Sequence, residues 1–295
     1  MKIVFIGTVD FSYHCLNEVI KNNGEVCGII TYPESPINSD YKDITPLAAE
    51  HNIPVYHTVN INDPACIQWA REKKPDIIFC FGISQIIKTE MLHLAPMGIL
   101  GIHPALLPKN RGRHPLIWAL ALGLKESGLT FFFMDKGVDS GPILSQKTFS
   151  IEYHDDAYSL YQKIKALATI QIADFMPILA TGNYQLIPQD HSKANYWRKR
   201  TCKDGMIDWR MSAENIRNTV RALVKPYPGA EFIYKNSSFT LWKVENYSGI
   251  IPKNIEPGKV ISIINNNPLV RCGDGAVILT DYEPAINFKE GDYLL

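Results

Sequence analysis

Short apolar runs alternate with stretches of helical periodicity over the first half of the chain. The runs Lys2–Ile6 and Val26–Tyr32 flank a helix-patterned stretch from Phe11 to Ile20, an order that predicts a strand, a helix and a second strand. Further strand-like runs are Asp76–Phe81, Gly98–Ile102 and Leu129–Met134, and helical stretches are Asp63–Lys73, Thr89–Leu94 and Pro115–Leu122. This alternation predicts an α/β first domain with crossover units on a mostly parallel sheet.

The pattern changes near the middle of the chain. Asp155 and Asp156 precede a long amphipathic stretch that ends at Gly182, so we predict one long helix with aspartate caps. The following residues are polar and mixed, and they include the basic run Trp197–Arg200, which is typical of a linker. The sequence therefore predicts a first domain over residues 1–183, a linker over 184–205 and a second domain over 206–295.

The last part of the chain contains one amphipathic helical stretch, Ser212–Leu223, and then short strand-like runs between glycine, proline and asparagine turns. These runs are Ala230–Tyr234, Phe239–Val244, Lys259–Ile264, Leu269–Cys272 and Ala276–Thr280. Short strands at such regular spacing predict a small β-barrel.

Composition and charge narrow the classes of partner. Of the 295 residues, 46% are apolar, and 30 basic residues balance 30 acidic ones. A chain without a global positive field is not expected to gather nucleic acid or an anionic membrane. The 6 cysteines form no C-x-x-C pair and no apolar run reaches membrane-spanning length, so we expect reduced thiols and a cytoplasmic protein without a membrane segment.

The most suggestive side chains follow predicted strands. His103 comes directly after one strand, in a loop shaped by Pro104 and Pro108, and Asp139 lies in the glycine-containing loop after another. Ligands of open parallel sheets bind outside the carboxyl ends of the strands, so a histidine and an aspartate there could form a catalytic pair. Hydrogen-bonding roles that merely fix the two loops remain the alternative.

Other motifs are weaker. The segment after the first strand, Gly7–Asp10, lacks the G-x-G-x-x-G of dinucleotide sites, and the chain contains no G-x-x-x-x-G-K-[ST], so neither NAD nor ATP is indicated. His154, Asp155 and Asp156 are better explained as residues before a helix start than as metal ligands. We therefore expect no metal.

Taken together, several segments resemble the formyltransferase family that takes its one-carbon unit from formyltetrahydrofolate. That family includes methionyl-tRNA, glycinamide ribonucleotide and nucleotide-sugar N-formyltransferases. The segments that carry the resemblance are Phe5–Phe11 at the first strand and turn, Phe81–Ile87 on the folate side, His103–Pro108 as an H-x-S-L-L-P loop with Ala105 at the serine, Gly137–Gly141 as a G-x-D-x-G loop, and Ile207–Trp209 with Pro226–Gly229 at the entry to the second domain.

The resemblance implies a Rossmann-like formyltransferase domain followed by a small OB-like β-barrel. It also implies that His103 is the general base and that Asp139 orients it. Gly101 stands where the family has the asparagine of its N-x-H signature, whose amide helps bind the formyl oxygen as it becomes negative. His103, an ordered water in the space that glycine leaves, or a polar group from another strand could each replace that amide.

By the same resemblance, 10-formyltetrahydrofolate is the co-substrate, and no metal takes part. The residues implied to contact the folate are Gln85, Ile86, Ile87, Asp135, Lys136, Gly137, Val138 and Asp139. Lys109, Arg111 and Arg113 follow the catalytic loop and could hold the diphosphate of a nucleotide sugar, although loop arginines are as often merely solvated.

The expected function is formyl transfer to the amino group of a nucleotide-linked amino sugar, as in N-formyl sugar synthesis for a surface polysaccharide such as lipopolysaccharide or O-antigen. A methionyl-tRNA formyltransferase is one alternative. A non-catalytic folate or sugar-nucleotide binding protein is another, because Gly101 lacks the amide. The second domain could serve as a substrate wall, a stabilising lid or a homodimer contact.

Overall fold

The computed structural model describes residues 1–34 and 40–295, and these residues form two compact units. The first unit comprises Met1–Pro115, Ser127–Phe149 and Gln162–Trp197, and the second comprises Leu116–Glu126, Ser150–Tyr161 and Arg198–Leu295. Each unit therefore draws on several stretches of the chain. The linear domain limits given above stay predictions.

A seven-stranded sheet in the order β3-β2-β1-β4-β5-β7-β8 organises the first unit. In chain order the strands are β1 (Lys2–Ile6), β2 (Glu25–Thr31), β3 (Val55–His57), β4 (Ile77–Cys80), β5 (Ile99–His103), β6 (Arg111–Gly112), β7 (Glu126–Phe133), β8 (Ile143–Ser150) and β9 (Tyr196–Trp197). The helices over the same part of the chain are α1 (Asp10–Lys21), α2 (Thr45–Glu50), α3 (Pro64–Glu72), α4 (Thr89–Leu92), α5 (Pro115–Ala121) and α6 (Ala157–Thr181). Strands β6 and β9 form a separate parallel pair.

The large sheet is mostly parallel, as predicted. Strand β1 pairs in parallel with β2 and β4, β4 pairs in parallel with β5, and β5 pairs antiparallel with β7. Strand β4 is buried along its whole length, because both faces of such a sheet are covered by other elements. This explains why β1 and β4 read as continuous apolar runs in the sequence.

Strand β8 was not predicted from the sequence. Over most of its length its residues alternate between intermediate and exposed positions, and the exposed ones include Gln146 and Thr148. The strand lies at one end of the sheet order, where only one neighbour completes the hydrogen-bond ladder and polar side chains are tolerated. Its polar composition therefore concealed it among the loops.

Stacked and edge-on aromatic rings fill the core behind the sheet. Phe81 lies 5.2 Å from Phe79 and 5.3 Å from Phe131, measured between ring centroids, and Phe131 lies 4.9 Å from Phe175 of α6. By length and by a mean hydropathy of 1.3, α6 could cross a membrane, a test that the core helix of a soluble protein also passes. Phe175 is 1% exposed, so α6 contributes to this core.

The second unit contains α7 (Ala213–Arg221) and a five-stranded sheet in the order β10-β11-β14-β13-β12. Its strands are β10 (Ala230–Tyr234), β11 (Ser237–Asn246), β12 (Val260–Ile264), β13 (Asn267–Arg271) and β14 (Ala276–Glu283). Neighbouring strands of this sheet pair antiparallel. Alternate residues of β10 are fully buried, which is the pattern of a strand with one face on a core.

The C-terminal tail joins the two edges of this sheet. On the β12 edge, the Leu294 N–H donates to Gly258 O and the Val260 N–H donates to Asp292 O, each at 2.8 Å. On the β10 edge, Leu295 and Ile233 exchange both backbone hydrogen bonds at 2.7 Å. Because the same tail pairs with both edge strands, the sheet closes into the small barrel that the sequence predicted. Its likeness to an OB fold stays a prediction.

Two glycines test how much this closure stabilises the barrel. Gly258 has φ +88°, and an added Cβ would collide with the carbonyl oxygen of Leu294, whereas Gly291 has φ +91° and open space around it. We predict that Gly258→Ala lowers the free energy of unfolding by about 3–5 kcal/mol, through backbone strain and collision, and Gly291→Ala by about 1–2 kcal/mol, through strain alone. Chemical denaturation of both variants measures this, and equal losses would contradict the closure.

Candidate active site

The candidate site lies at the end of β5. His103 is the last residue of that strand and pairs with Thr130 across the antiparallel β5–β7 ladder. The loop after it is held from β7 and β8, because the Thr130 hydroxyl donates to Ala105 O at 2.6 Å and the Gln146 amide donates to Leu107 O at 2.9 Å. The strand and these bonds fix the backbone on both sides of the imidazole.

The two ring nitrogens of His103 face different acceptors. Nε2 lies 2.7 Å from the backbone oxygen of Asn110, and because a carbonyl can only accept, Nε2 carries the hydrogen. Nδ1 lies 3.6 Å from Oδ2 of Asp139. Nδ1 is therefore the nitrogen available to take up a proton, and the charge so formed would lie beside a carboxylate.

Asp139 is held in place from several sides. Its backbone has φ +51°, a left-handed conformation that aspartate tolerates better than most residues. The Gly112 N–H donates to its Oδ2 at 2.8 Å, and the Gln189 side chain donates to its backbone oxygen at 3.0 Å. The structure thus brings His103 and Asp139 together, as expected from the sequence.

The loop that carries Asp139 is closed by Asp135. Oδ1 of Asp135 accepts hydrogen bonds from the Gly137 N–H at 2.9 Å and from the Ser140 hydroxyl at 2.6 Å. One carboxylate oxygen therefore ties both ends of a tight turn. The side chain of Val138, at the tip between them, is 49% exposed.

Asn110 was missed in the sequence, although its carbonyl sets the orientation of His103. Asn110 has φ +63°, and its side chain and N–H form a reciprocal pair with Asn195: Asn110 N–H to Asn195 Oδ1 at 2.8 Å, and Asn195 Nδ2 to Asn110 Oδ1 at 3.1 Å. A backbone acceptor leaves no side-chain signal in a sequence. Asn195 lies in the segment that we interpreted as a linker.

The three basic residues after the loop have different environments. The Arg111 side chain is buried, and its guanidinium donates to Gln189 Oε1 at 2.7 Å and to the Tyr196 hydroxyl at 2.9 Å. Arg113 is half-buried and donates to Ser84 O at 3.2 Å, whereas Lys109 is exposed. Arg111 is thus engaged within the unit, which leaves Lys109 and Arg113 as candidates for contacting a phosphate.

The space beside Gly101 is filled by Met134. A Cβ added to Gly101 would collide with Cε of Met134 and lie 2.9 Å from its Cγ and 3.3 Å from Cζ of Phe132. A side chain at position 101 would point into space that Met134 already fills, so an ordered water does not fit there. A thioether offers no hydrogen-bond donor, so a donor for a developing oxyanion must come from elsewhere, with His103 among the candidates.

The segment Gln85–Ile87 is fixed by its neighbours. The Gln85 side chain donates to the Tyr32 hydroxyl at 2.6 Å and accepts from the Ile61 N–H at 3.1 Å, and Asn62 Nδ2 donates to Ile86 O at 2.9 Å. Ile87 packs against the core, but Ile86 is 79% exposed. A rigid backbone thus presents an apolar side chain to solvent.

A cavity of about 350 Å³ lies beside the start of the Asp135 loop. Its lining includes Leu92, Met97, Tyr184, Asp135 and Lys136, and also Met134, the residue that fills the space at Gly101. The Tyr184 ring stacks on Phe133 at 5.7 Å between centroids. The cavity combines apolar walls with two charged side chains, as small-molecule sites do.

The described residues contain no group of three or more histidine, cysteine, aspartate or glutamate side chains that could hold a metal ion. The sequence His154–Asp156 serves the start of α6: Asp156 Oδ1 accepts from the Ser159 N–H at 2.8 Å, and Asp155 Oδ1 accepts from the Ser159 hydroxyl at 2.8 Å. These contacts agree with the interpretation of the two aspartates as helix caps.

Comparison with known proteins places this geometry in context. Residues 1–174 match the formyl transferase family, and residues 199–287 match the formyl transferase C-terminal domain. WlaRD, a sugar 3N-formyl transferase crystallised in the presence of dTDP and 5-N-formyl-THF, is similar at 21% identity and a TM-score of 0.74, over 97% of this chain and 99% of that chain.

Two further structures show the extent of the likeness. An N-formyltransferase from Helicobacter canadensis, in complex with folinic acid and dTDP-3-aminofucose, has 20% identity and a TM-score of 0.74, over 95% of this chain and 99% of that one. Phosphoribosylglycinamide formyltransferase from Bacillus halodurans has 23% identity and a TM-score of 0.55, over 62% of this chain and 97% of that one. At these identities the likeness shows a shared fold.

The contact between Gly101 and Met134 predicts a coupled pair of substitutions. Gly101→Ala should lower the free energy of unfolding by about 1–3 kcal/mol through overpacking, and Met134→Ala by about 2–4 kcal/mol through a cavity. The double variant should lose clearly less than the sum, since the new methyl group occupies vacated space. Denaturation curves measure this; Met134→Ala combined with Gly182→Ala, where an added Cβ meets nothing within 4 Å, is the additive control.

Proposed function

The chain belongs to the formyl transferase family, and we propose that it transfers a formyl group from 10-formyltetrahydrofolate to the amino group of a nucleotide-linked amino sugar. The observation that carries the proposal is the shared two-part fold: WlaRD, a sugar N-formyltransferase, is matched over nearly the whole of both chains. The glycinamide ribonucleotide enzyme from Bacillus halodurans is matched over only 62% of this chain.

The geometry of His103 supports a general-base role at Nδ1. As the acceptor nitrogen bonds to the formyl carbon, it loses a proton to Nδ1, and the same proton then passes to the folate nitrogen whose bond to the formyl carbon breaks. While the proton is on the ring, the imidazolium has Asn110 O beside Nε2 and the Asp139 carboxylate beside Nδ1. Both acceptors stabilise its positive charge. Imidazole suits this task because one ring nitrogen can accept a proton while the other keeps its hydrogen.

The folate is proposed to lie between the Gln85–Ile87 backbone and the Asp135–Asp139 loop. The exposed side chains of Ile86 and Val138 offer apolar walls for an aromatic ring, and the hydrogen bonds of Tyr32 and Asn62 hold the first segment rigid. A preformed, partly apolar site lowers the entropy that binding costs. The cavity lined by Asp135 and Lys136 adjoins this loop.

For the acceptor, we propose that Lys109 and Arg113 contact the diphosphate of the nucleotide sugar. Both follow the loop of His103 along the chain, and Lys109 is exposed. The balance of 30 basic and 30 acidic residues argues for a small anionic acceptor rather than tRNA, whose binding rests on many phosphate contacts.

We also propose that the enzyme acts in the cytoplasm and that its product enters a surface polysaccharide such as lipopolysaccharide or O-antigen. Free cysteines support a reducing compartment: Cys15, Cys66, Cys80 and Cys272 are buried and unpaired as disulfides. Burial raises the pKa of the Cys80 and Cys272 thiols to about 12, so these thiols stay protonated and unreactive at neutral pH.

Replacement of His103 tests the assignment of the base. With formyltetrahydrofolate and a panel of nucleotide-linked amino sugars, His103→Gln should lower the rate of tetrahydrofolate release about a hundredfold or more, because no group at that position can take the proton. The unfolding transition should change little, and His51→Gln, at an exposed position, should retain full activity. Substantial turnover in His103→Gln would remove the base assignment.

The same assay separates the rival functions. Binding of folate or nucleotide sugar to the wild-type protein without release on any acceptor would favour a binding protein. Formylation of charged initiator tRNA would establish a tRNA formyltransferase instead.

Charge removal after the loop tests the diphosphate contact. Lys109→Ala and Arg113→Ala should each raise KM for the nucleotide sugar about tenfold with a small change in kcat, since they remove binding and leave the chemistry intact. Lys253→Ala, exposed in the second unit, should leave KM unchanged. Arg111→Ala should instead lower stability, because the buried Oε1 of Gln189 loses its donor. Unchanged KM in both loop variants would contradict the contact.

A further inference from the structure

The polar segment Gln189–Trp197, which we name the brace segment, contacts the backbone on both sides of the candidate active site. Its last two residues form β9 and pair in parallel with Arg111 and Gly112. Near its two ends lie two amide side chains, Gln189 and Asn195. Asn195 bonds to the backbone of Asn110, the residue whose carbonyl contacts His103. Gln189 bonds to the backbone of Asp139 itself.

Asn195 acts on the side of His103. Its Oδ1 accepts from the Asn110 N–H, and its Nδ2 donates to Asn110 Oδ1. The oxygen and the nitrogen of the Asn195 side-chain amide therefore both bond to the same residue. Asn110 is thereby held at φ +63°, a conformation that costs free energy without such support. In this conformation its carbonyl receives the Nε2 hydrogen of His103 at 2.7 Å.

Gln189 acts on the side of Asp139. Its Nε2 donates to the backbone oxygens of Asp139 at 3.0 Å and Gly141 at 2.6 Å, so one amide group clamps two carbonyls of the same tight loop. Gln189 is 7% exposed, and a buried amide that is fully hydrogen-bonded fixes its partners more strictly than an exposed one. The loop that presents the carboxylate is thus set from the brace segment.

Arg111 links Gln189 and Asn195. Its guanidinium donates to Gln189 Oε1 from Nε at 3.3 Å and from Nη2 at 2.7 Å, and its backbone N–H donates to Asn195 O at 3.0 Å. The Tyr196 hydroxyl and His191 Nδ1 take up further guanidinium hydrogens at 2.9 and 3.1 Å. Because the cation is 1% exposed, breaking this network would leave a charge buried without partners, which is costly.

We propose that Asn195 and Gln189 are positioning residues that set the geometry of His103 and Asp139, respectively, and that the brace segment is part of the active site rather than a linker. Without Asn195, the Asn110 carbonyl loses its fixed direction, and the hydrogen of the neutral imidazole can then lie on Nδ1, beside the Asp139 carboxylate, instead of on Nε2. Without Gln189, the Asp139 loop loses its clamp. The kinetic part of this proposal rests on the proposed formyl transfer; the structural part does not.

Kinetics of the two alanine variants give the first test. Asn195→Ala and Gln189→Ala should each lower kcat about tenfold or more with a small change in KM, since a displaced base or partner impairs the chemical step. Asn195→Asp, which retains the acceptor for the Asn110 N–H, should recover part of the loss. Lys193→Ala is the control, because its side chain lies in the same segment, 67% exposed and paired with Asp190. Equal activity of wild type and both alanine variants would overturn the proposal.

Double variants separate positioning from a general structural role. In a His103→Gln background, Asn195→Ala should cause no further loss of the residual rate, because Asn195 acts through His103; in an Asp139→Asn background the same holds for Gln189→Ala. A purely structural role would instead give losses that multiply. Multiplying losses in both backgrounds would therefore contradict the proposal.

A spectrum of the imidazole tests the structural part without any substrate. Nitrogen-15 NMR of the histidine rings, with the His103 signals identified by their absence in His103→Gln, should show the neutral ring protonated at Nε2 in the wild type. Asn195→Ala should give a mixture of the two tautomers, and Lys193→Ala should match the wild type. If no acceptor is ever formylated, the proposed function fails while this result still stands; an unchanged His103 spectrum in Asn195→Ala would overturn the positioning role itself.

Discussion

The hydrogen bond from His103 Nε2 to the carbonyl of Asn110 is the constraint on which the rest of the site depends. It fixes which ring nitrogen carries the hydrogen, and so it leaves Nδ1 available to act as the proposed base. It also turns Nδ1 towards Asp139, whose carboxylate would stabilise the charge that forms there. Asn195 presents this carbonyl, and Gln189 and Gly112 present the carboxylate.

The fold explains how such a bond is kept. Strand β5 lies between a parallel and an antiparallel neighbour, so His103 ends a segment that cannot shift without breaking two ladders. The loop beyond it is tied to Thr130 and Gln146. On the same strand, the space beside Gly101 holds the side chain of Met134, whose thioether donates no hydrogen bond. In the proposed formyl transfer, other groups would therefore have to stabilise negative charge at the formyl oxygen.

From the sequence, apolar patterns predicted the central strands, and the ends of these strands indicated two site residues. Strands β1, β4 and β5 are continuous apolar runs, and His103 and Asp139 were identified because each follows a predicted strand. Strands β5 and β7 run antiparallel, so the rule for the carboxyl ends of parallel strands does not by itself explain why the two side chains meet. Asn110, Gln189 and Asn195 were missed, because they act on or through backbone atoms of residues distant in the chain. Arg111 resembled a surface cation in a basic run, but its side chain is buried and bonds to Gln189, Tyr196 and His191. Long-range polar contacts of this kind do not produce a periodic pattern, so they cannot be predicted from the sequence alone.

The central claim is that Nδ1 of His103 takes the proton of the attacking amine. The most direct test is a crystal structure of the protein with a folate analogue and a nucleotide-linked amino sugar bound together. We predict that the sugar nitrogen lies within hydrogen-bond distance of His103 Nδ1, while Nε2 stays on the Asn110 carbonyl. A sugar nitrogen that contacts Nε2 instead, or that binds away from His103 altogether, would contradict it.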